Sequence, residues 1–352
     1  MKQCRGCGAI LQSENKDLAG YTPKEGAEYC QRCFRIQHYD DVTVSYSTKM
    51  DTTQILKTIA DMDALVLWVV DLFDFEASMI EGMNRHCIDK DIVMVVTKRD
   101  LLPDTMSEKK LTDFLMSRLK EYGIVVKGIV VTGNCGRDGI SELIEAIEYY
   151  AKNKEIVVMG TANAGKSSIL NTLLRLDKGL TMSRYPGTTL GFTKLEWNGY
   201  TIYDSPGIHK YDSAIFLLED RELKYVIPSS TLRPVVYQVR GDQSLALGGL
   251  LRVDAVNARD NASMTVYASN RLPLHRGKVE NADALWENHY DELLSPTIDR
   301  YSSFVKERIY KKHSAIDICM YGVGWVCFKG NFDYIDIRYP KGVKIKVRKA
   351  ML

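Results

Sequence analysis

The chain has 352 residues, of which 45% are hydrophobic and 26% charged, with a formal net charge of +2. Those values are those of a soluble globular protein with room for two or three domains, and so small a net charge singles out no class of partner. No apolar run approaches the length of a membrane span, and Met1-Lys2-Gln3-Cys4 lacks a signal-peptide core, so a cytosolic location without a membrane partner is expected.

Eight cysteines in that compartment favour metal ligands or free thiols over disulfides. Cys4-Arg5-Gly6-Cys7 and Cys30-Gln31-Arg32-Cys33 are two C-x-x-C pairs. Two such knuckles supply four thiolates, which suits tetrahedral Zn²⁺. A site closed by four sulfurs would be structural. The competing reading is a redox or unliganded pair, although a thioredoxin-type site needs only one C-x-x-C. His38 would be a fifth ligand and reads as a surface or packing residue.

From residue 51 the pattern alternates. The spacing predicts helices over 51–62, 76–87, 107–122 and 138–151, and strands over 64–70, 92–96, 124–131 and 155–159. Alternation of this kind predicts a parallel, doubly wound α/β sheet with ligands at the carboxyl ends of its strands. The second strand runs into Thr97-Lys98-Arg99-Asp100, which resembles the [NT]-K-x-D motif of GTPases. There the carboxylate at the Asp100 position accepts two hydrogen bonds from guanine, from N1–H and the 2-amino group. Lys98 would pack along the base, and Thr97 stands where Asn is usual. Thr132-Gly133-Asn134, after the third strand, takes the place of the Ser-Ala-Lys element, with the Gly133 N–H aimed at the guanine O6.

Gly160-Thr161-Ala162-Asn163-Ala164-Gly165-Lys166-Ser167 is the phosphate-binding pattern G-x-x-x-x-G-K-[ST], between a strand and a helix that begins at Lys166 and includes Ser168. The glycines let backbone N–H groups close on phosphate oxygens, and the helix N-terminus adds positive potential. Lys166 would reach the β- and γ-phosphates and Ser167 would sit on Mg²⁺. Tyr185-Pro186-Gly187-Thr188-Thr189 follows, with Thr189 the better candidate for completing the Mg²⁺ site. Asp204-Ser205-Pro206-Gly207 matches D-x-x-G after the strand 201–203; Asp204 would bind Mg²⁺ through water, and the Gly207 N–H would meet the γ-phosphate. Lys166, Thr189 and Gly207 are thus the expected catalytic group. Ile208 stands where many GTPases place a water-orienting Gln, so slow intrinsic hydrolysis is expected. Asn163 resembles the Asn that helps hold K⁺ in potassium-activated GTPases; the alternative is a loop-shaping residue.

Beyond residue 225 strand character predominates, over 235–239, 250–256, 264–268, 316–328 and 332–338, with one helix over 282–294. A separate, mostly antiparallel domain is expected. Lys344, Lys346 and Arg348 would share one strand face, either as a ridge for phosphate backbones or as a solubilising edge. Asp71, Asp74, Glu76, His209 and His275 read as isolated structural or solvated residues.

The base motif at 97–100 precedes the phosphate loop at 160–167, the reverse of the ordinary order. The chain therefore resembles a circularly permuted GTPase, and with the four-cysteine finger it is similar to the YqeH family. Gly248-Gly249-Leu250-Leu251-Arg252-Val253-Asp254 and Asp317-Ile318-Cys319-Met320-Tyr321-Gly322-Val323-Gly324-Trp325 resemble that family's segments as well. The resemblance implies a zinc finger over 1–45, a permuted P-loop GTPase domain over 46–222, and a β-rich RNA- or ribosome-binding domain over 223–352. It implies GTP/GDP, Mg²⁺ and Zn²⁺ as cofactors, with K⁺ as a further candidate. It implies the small ribosomal subunit or its precursor, and rRNA, as partners. The alternative is a GTP-gated protein-binding module that does not touch RNA. Since Gly207 leads within a few residues into the last domain, that domain is expected to sense the nucleotide.

Overall fold

The protein is described from a computed structural model covering residues 10–14, 21–22, 26–27, 51–176, 185–186, 191–219, 221–290, 292–298 and 303–352. Cys4, Cys7, Cys30, Cys33, Thr188 and Thr189 lie outside the described residues, and with them the expected zinc ligands and one expected magnesium ligand.

The first half builds around β1 (Ala64–Asp71), buried along its whole length. Alternation sends Val66, Trp68 and Val70 to one face and Leu65, Leu67 and Val69 to the other, and each set seeds a core layer. On the first face pack α1 (Thr52–Asp61) and, with its approach helices α2 (Phe75–Ser78) and α3 (Met83–His86), α4 (Glu108–Tyr122). On the second pack α5 (Ile140–Ala151) and α6 (Lys166–Leu176). With β2 (Ile92–Thr97), β3 (Gly128–Val131), β4 (Glu155–Gly160), β5 (Tyr185–Pro186), β6 (Thr193–Trp197) and β7 (Tyr200–Asp204), the sheet order is β3-β2-β1-β4-β7-β6-β5. The pairs β2–β3, β1–β2, β1–β4 and β4–β7 are parallel, as expected for a doubly wound sheet; β6 runs antiparallel to β7.

The helix expected over 76–87 is two short pieces instead. Gly82, in the left-handed region at φ 83°, caps the second and breaks the run. The strand expected from Ile124 begins only at Gly128, after the left-handed Gly123 that ends α4.

The second half holds α7 (Leu223–Val226), β8 (Val235–Gln238), β9 (Gly241–Leu247), β10 (Leu251–Ala268), β11 (Leu274–Lys278), α8 (Val279–Asn288), β12 (Phe304–Ile309), β13 (Ala315–Met320), β14 (Gly324–Asn331), β15 (Tyr334–Pro340) and β16 (Ile345–Lys349). The two strands expected over 250–256 and 264–268 are one, β10. Its first part pairs with β9 and β15, and its second with β14 and β8. The registers shift between, where Asn257 and Asn261 take φ of 52° and 54°. The helix expected over 282–294 runs earlier, Val279–Asn288, and buries Ala282 and Trp286.

The basic segment divides by depth: Arg348 is buried, Lys346 half-buried and Lys344 exposed. Arg348 Nη1 lies 3.1 Å from Glu76 Oε1, and its Nε 3.2 Å from Asp317 Oδ2. Arg118 Nη2 meets the other Glu76 oxygen at 2.7 Å, and the Tyr122 hydroxyl donates to that oxygen at 2.8 Å. Lys344 pairs with Glu81 at 2.9 Å and Lys346 with Glu121 at 3.4 Å. Arg348 thus docks β16 onto α2, Lys346 ties it to α4, and Lys344 stays at the surface. Burial opposes charge on Glu76, but Arg348 and Arg118 outweigh it and hold its carboxyl below the ordinary value. Around this cluster Trp325, Tyr267, Cys319, Cys327 and Met351 join the apolar core under α1 and α4.

Candidate functional site

Strand register sets the site. Asp71 lies beside Thr97, Val69 beside Gly160, and Val158 beside Asp204. The carboxyl ends of β2, β1, β4 and β7 therefore present Thr97, Asp71, Gly160 and Asp204 along one rim.

The phosphate loop crosses that rim between β4 and α6. At Gly160 a Cβ would come within 2.4 Å of the Val69 carbonyl oxygen, so only glycine fits. Gly165 has φ 101° and lies against Thr97, and Asn163 takes φ 64°, exposed. That backbone is the loop-shaping role open to Asn163. Lys166 is buried, and its Nζ folds back to the carbonyls of Gly160 (3.0 Å) and Thr161 (3.1 Å). Burial pushes its ammonium down to about 8, with the Asp204 charge opposing. Ser167 is exposed and Ser168 half-buried on the first turn of α6. The Ser167 hydroxyl and the Asp204 carboxylate, flanking Lys166 electrostatically and in sequence, are hard oxygen donors of the kind that could hold Mg²⁺.

The base-side motif is tied to this loop. Thr97 Oγ1 lies 2.6 Å from the carbonyl oxygen of Ala164 and 3.2 Å from that of Val70. A hydroxyl on this strand end therefore clasps the phosphate loop. Lys98 turns through φ 61° and sets its Nζ 2.5 Å from Asp71 Oδ2. Asp100 Oδ1 accepts from Asn134 N at 2.9 Å, and Arg99 N donates to Thr132 O at 3.1 Å. Thr132 is buried and continues the β2–β3 pairing through Val96 O. The Gly133 N–H is directed at Asp138 O, 3.4 Å away, and the Asn134 amide bonds the Asp138 carboxylate. Gly136 packs against Ile169 of α6, so the base loop rests on the phosphate-loop helix.

The D-x-x-G segment lies on the same loop. Ser205 N donates to Val158 O at 3.0 Å; Ile208 N donates to Gly160 O at 3.1 Å; Ala162 N donates to Ile208 O at 2.8 Å. A Cβ on Gly207 would stand 3.3 Å from Ala162 Cα and 3.4 Å from Lys166 Nζ. Five to seven residues beyond Gly207 the chain reaches the second half: Lys344 N donates to Asp212 O (2.8 Å) and Ala214 N to Tyr321 O (3.0 Å).

Several residues read from sequence as isolated are not. Asp71 holds Lys98, Asp74 Oδ2 accepts from Gly322 N at 3.0 Å, and Glu76 centres the Arg348 cluster. Asp71 was legible as a carboxylate ending a wholly apolar strand. Thr231, whose hydroxyl donates to Asp100 O at 2.9 Å, and Leu232, whose N–H donates to Leu101 O at 2.8 Å, carry no such signal.

Residues 155–245 match the family model described as 50S ribosome-binding GTPase, and 261–351 the model described as YqeH-like, C-terminal. YqeH of Bacillus subtilis (strain 168) is 34% identical over 363 residues, spanning 99% of each chain. The chain belongs to the YqeH-like GTPase family. Other relatives are NO-associated protein 1, chloroplastic/mitochondrial, of Arabidopsis thaliana (23% identical; 92% of this chain, 69% of that one) and nitric oxide-associated protein 1 of Homo sapiens (22%; 99% and 74%). A GDP-bound YlqF structure is 19% identical with a TM-score of 0.33, over 49% of this chain and 68% of that one. Within this YqeH-like chain the P-loop GTPase sheet and the mostly β second half are both in place. Among the described residues no helix is long and apolar enough to cross a membrane.

Proposed function

We propose that this chain is a GTP-binding, slowly GTP-hydrolysing switch that assists assembly of the small ribosomal subunit by binding rRNA or a pre-ribosomal particle. The observation that carries the nucleotide reading is the bond from Thr97 Oγ1 to Ala164 O, which joins the base motif to the phosphate loop despite their reversed order. In this reading Asp100 selects guanine, with Thr97, Lys98, Thr132, Gly133 and Asn134 shaping its side of the cleft. Gly160, Asn163, Ala164, Gly165, Lys166, Ser167 and Ser168 cradle the phosphates. Ser167, Thr189 and Asp204 hold Mg²⁺, Gly207 meets the γ-phosphate, and Asn163 is the K⁺ candidate. Cys4, Cys7, Cys30 and Cys33 hold structural Zn²⁺, and the domains divide as 1–45, 46–222 and 223–352.

The ribosomal part draws on the family description and on a different basic surface from the one first expected. The register sets Lys329 opposite Ala315 and Lys349 opposite Ile316, both exposed and flanking the start of β13. Lys312 and His313 precede that strand, also exposed, and Tyr310 is 63% exposed. Cations beside an aromatic ring suit a phosphate backbone and its bases. The second reading, a GTP-gated protein-binding module, is favoured by β8, which among the described residues pairs only with β10 and exposes Val235 and Val236.

Co-sedimentation with ribosomal subunits across nucleotides and salt separates the two. Binding that falls steeply with salt and changes between GDP and a GTP analogue supports the first; salt-insensitive binding to one protein supports the second. Asp100→Asn tests the nucleotide reading, through loss of guanine preference.

A further inference from the structure

We propose that His209 orients the attacking water and reads the γ-phosphate, the task that Ile208 cannot perform in this chain. The inference rests on the GTPase reading above and names the group that would serve it.

Ile208 is fixed. Its N–H and C=O are both engaged with the phosphate loop, at Gly160 and Ala162, in a parallel bridge to Thr161. Its side chain is 2% exposed and belongs to the apolar core. It has no polar atom to offer a water and no freedom to swing. In extended backbone the residues on either side of Ile208 present to the opposite face. For Gly207 that face is known: it is the side on which Lys166 Nζ lies, 3.4 Å from where a Cβ would stand. The same alternation sends His209 toward the lysine, and the Lys166 charge is felt at its ring.

The ring is also held. It stacks on Tyr211 with centroids 5.8 Å apart and planes 23° apart, and meets Phe216 edge-on at 6.0 Å. Its Nδ1 is buried without a hydrogen-bond partner among the described residues. Burial first, and the Lys166 ammonium second, hold the imidazole below its ordinary value and so favour its neutral form. A neutral imidazole carries one lone pair that can accept a hydrogen bond from water.

In the step assigned to it, the water oxygen bonds to the γ-phosphorus while the bond from phosphorus to the bridging oxygen breaks. The electron pair of that bond leaves on GDP. One water proton stays on the new phosphate, and the other passes through the imidazole nitrogen to phosphate or solvent. His209 supplies orientation and a proton path, and no other reactant is required.

The decisive variant is His209→Phe in the full chain. It keeps the ring contacts with Tyr211 and Phe216 and removes both nitrogens. Single-turnover GTP hydrolysis is expected to fall about 10²-fold, the usual yield of a positioned proton-handling group. Affinity for GDP should hold within about twofold, while affinity for GDP with aluminium fluoride drops at least about tenfold. His209→Gln should recover part of the rate. Hydrolysis by His209→Phe within about threefold of wild type overturns the assignment. Should the phenylalanine variant not fold, His209→Gln and His209→Leu carry the same comparison: measurable turnover only with the amide supports the assignment, and equal rates overturn it. A wild-type chain that binds GDP yet leaves GTP intact refutes the GTPase reading itself, a separate outcome.

Discussion

Arg348 on β16 donates to Glu76, 272 residues earlier in the chain, at 3.1 Å, with each side chain only 2% exposed. A pair so buried contributes little net stability against an apolar replacement, but removing one member leaves charge in the core. Arg348→Met strips Asp317 of its guanidinium and Glu76 of one of two. A loss of about 3–5 kcal/mol is expected in chemical denaturation of the full chain. Adding Asp317→Asn should recover part of it, since the amide oxygen can still accept from Met351 N.

Thr97→Val keeps the shape of the β2 terminus and removes the hydroxyl on Ala164 O. The buried carbonyl then lacks that partner, at a cost of about 1–3 kcal/mol. The loop it shapes belongs to the proposed phosphate cradle, so GDP affinity should fall by roughly one to two orders of magnitude. Fluorescent-GDP titration is the measurement, and Thr97→Asn should fall less than Thr97→Val.

Gly207→Ala places a methyl 3.3 Å from Ala162 Cα and 3.4 Å from Lys166 Nζ. It crowds the lysine expected to reach the terminal phosphate. Affinity for a GTP analogue should drop about tenfold, and for GDP by no more than about threefold. Parallel titrations with the two nucleotides report the difference.

Asp74 supplies a pH dependence. Burial, then the Asp71 charge, raises its carboxyl from 3.8 to about 7; Gly322 N–H and Lys98 oppose, and Glu76 adds to the rise. The folded protein then keeps a proton that the unfolded chain has released. For this group stability is greatest below about pH 4, declines between about pH 4 and 7, and is level above. Denaturation midpoints of wild type minus Asp74→Asn, followed from pH 5 to 8, should show that downward slope. Parallel curves would rule out the contribution.

The doubly wound sheet was legible because β1, β2 and β4 are apolar, β-branched runs separated by helical spacing, and because motif residues stand at their ends. Thr97 could be read as a variant of the base motif; its bond to Ala164 O could not, because that contact depends on strand order. The basic residues of β16 were legible as a shared face, but not which way the face turns. The inward docking of Arg348 was decided by Glu76 and Asp317, two carboxylates distant in sequence with no local pattern. The single span of β10 was hidden by Asn257-Ala258-Arg259-Asp260-Asn261, a polar stretch that reads as a loop and folds as an irregular continuation of the strand.

Thr231 grips the carbonyl of Asp100, while Tyr321 and Lys344 grip the chain beyond Gly207. The second half therefore touches both poles of the cleft, one near the base motif and one near the phosphate loop. A protein cut after residue 222 would lose these struts together and uncover the apolar flank beneath α1 and α4. The proposed nucleotide cleft is accordingly not expected to be a detachable cassette. Excised, it should aggregate or bind guanine nucleotides feebly, and biochemical work on the switch requires the two halves together.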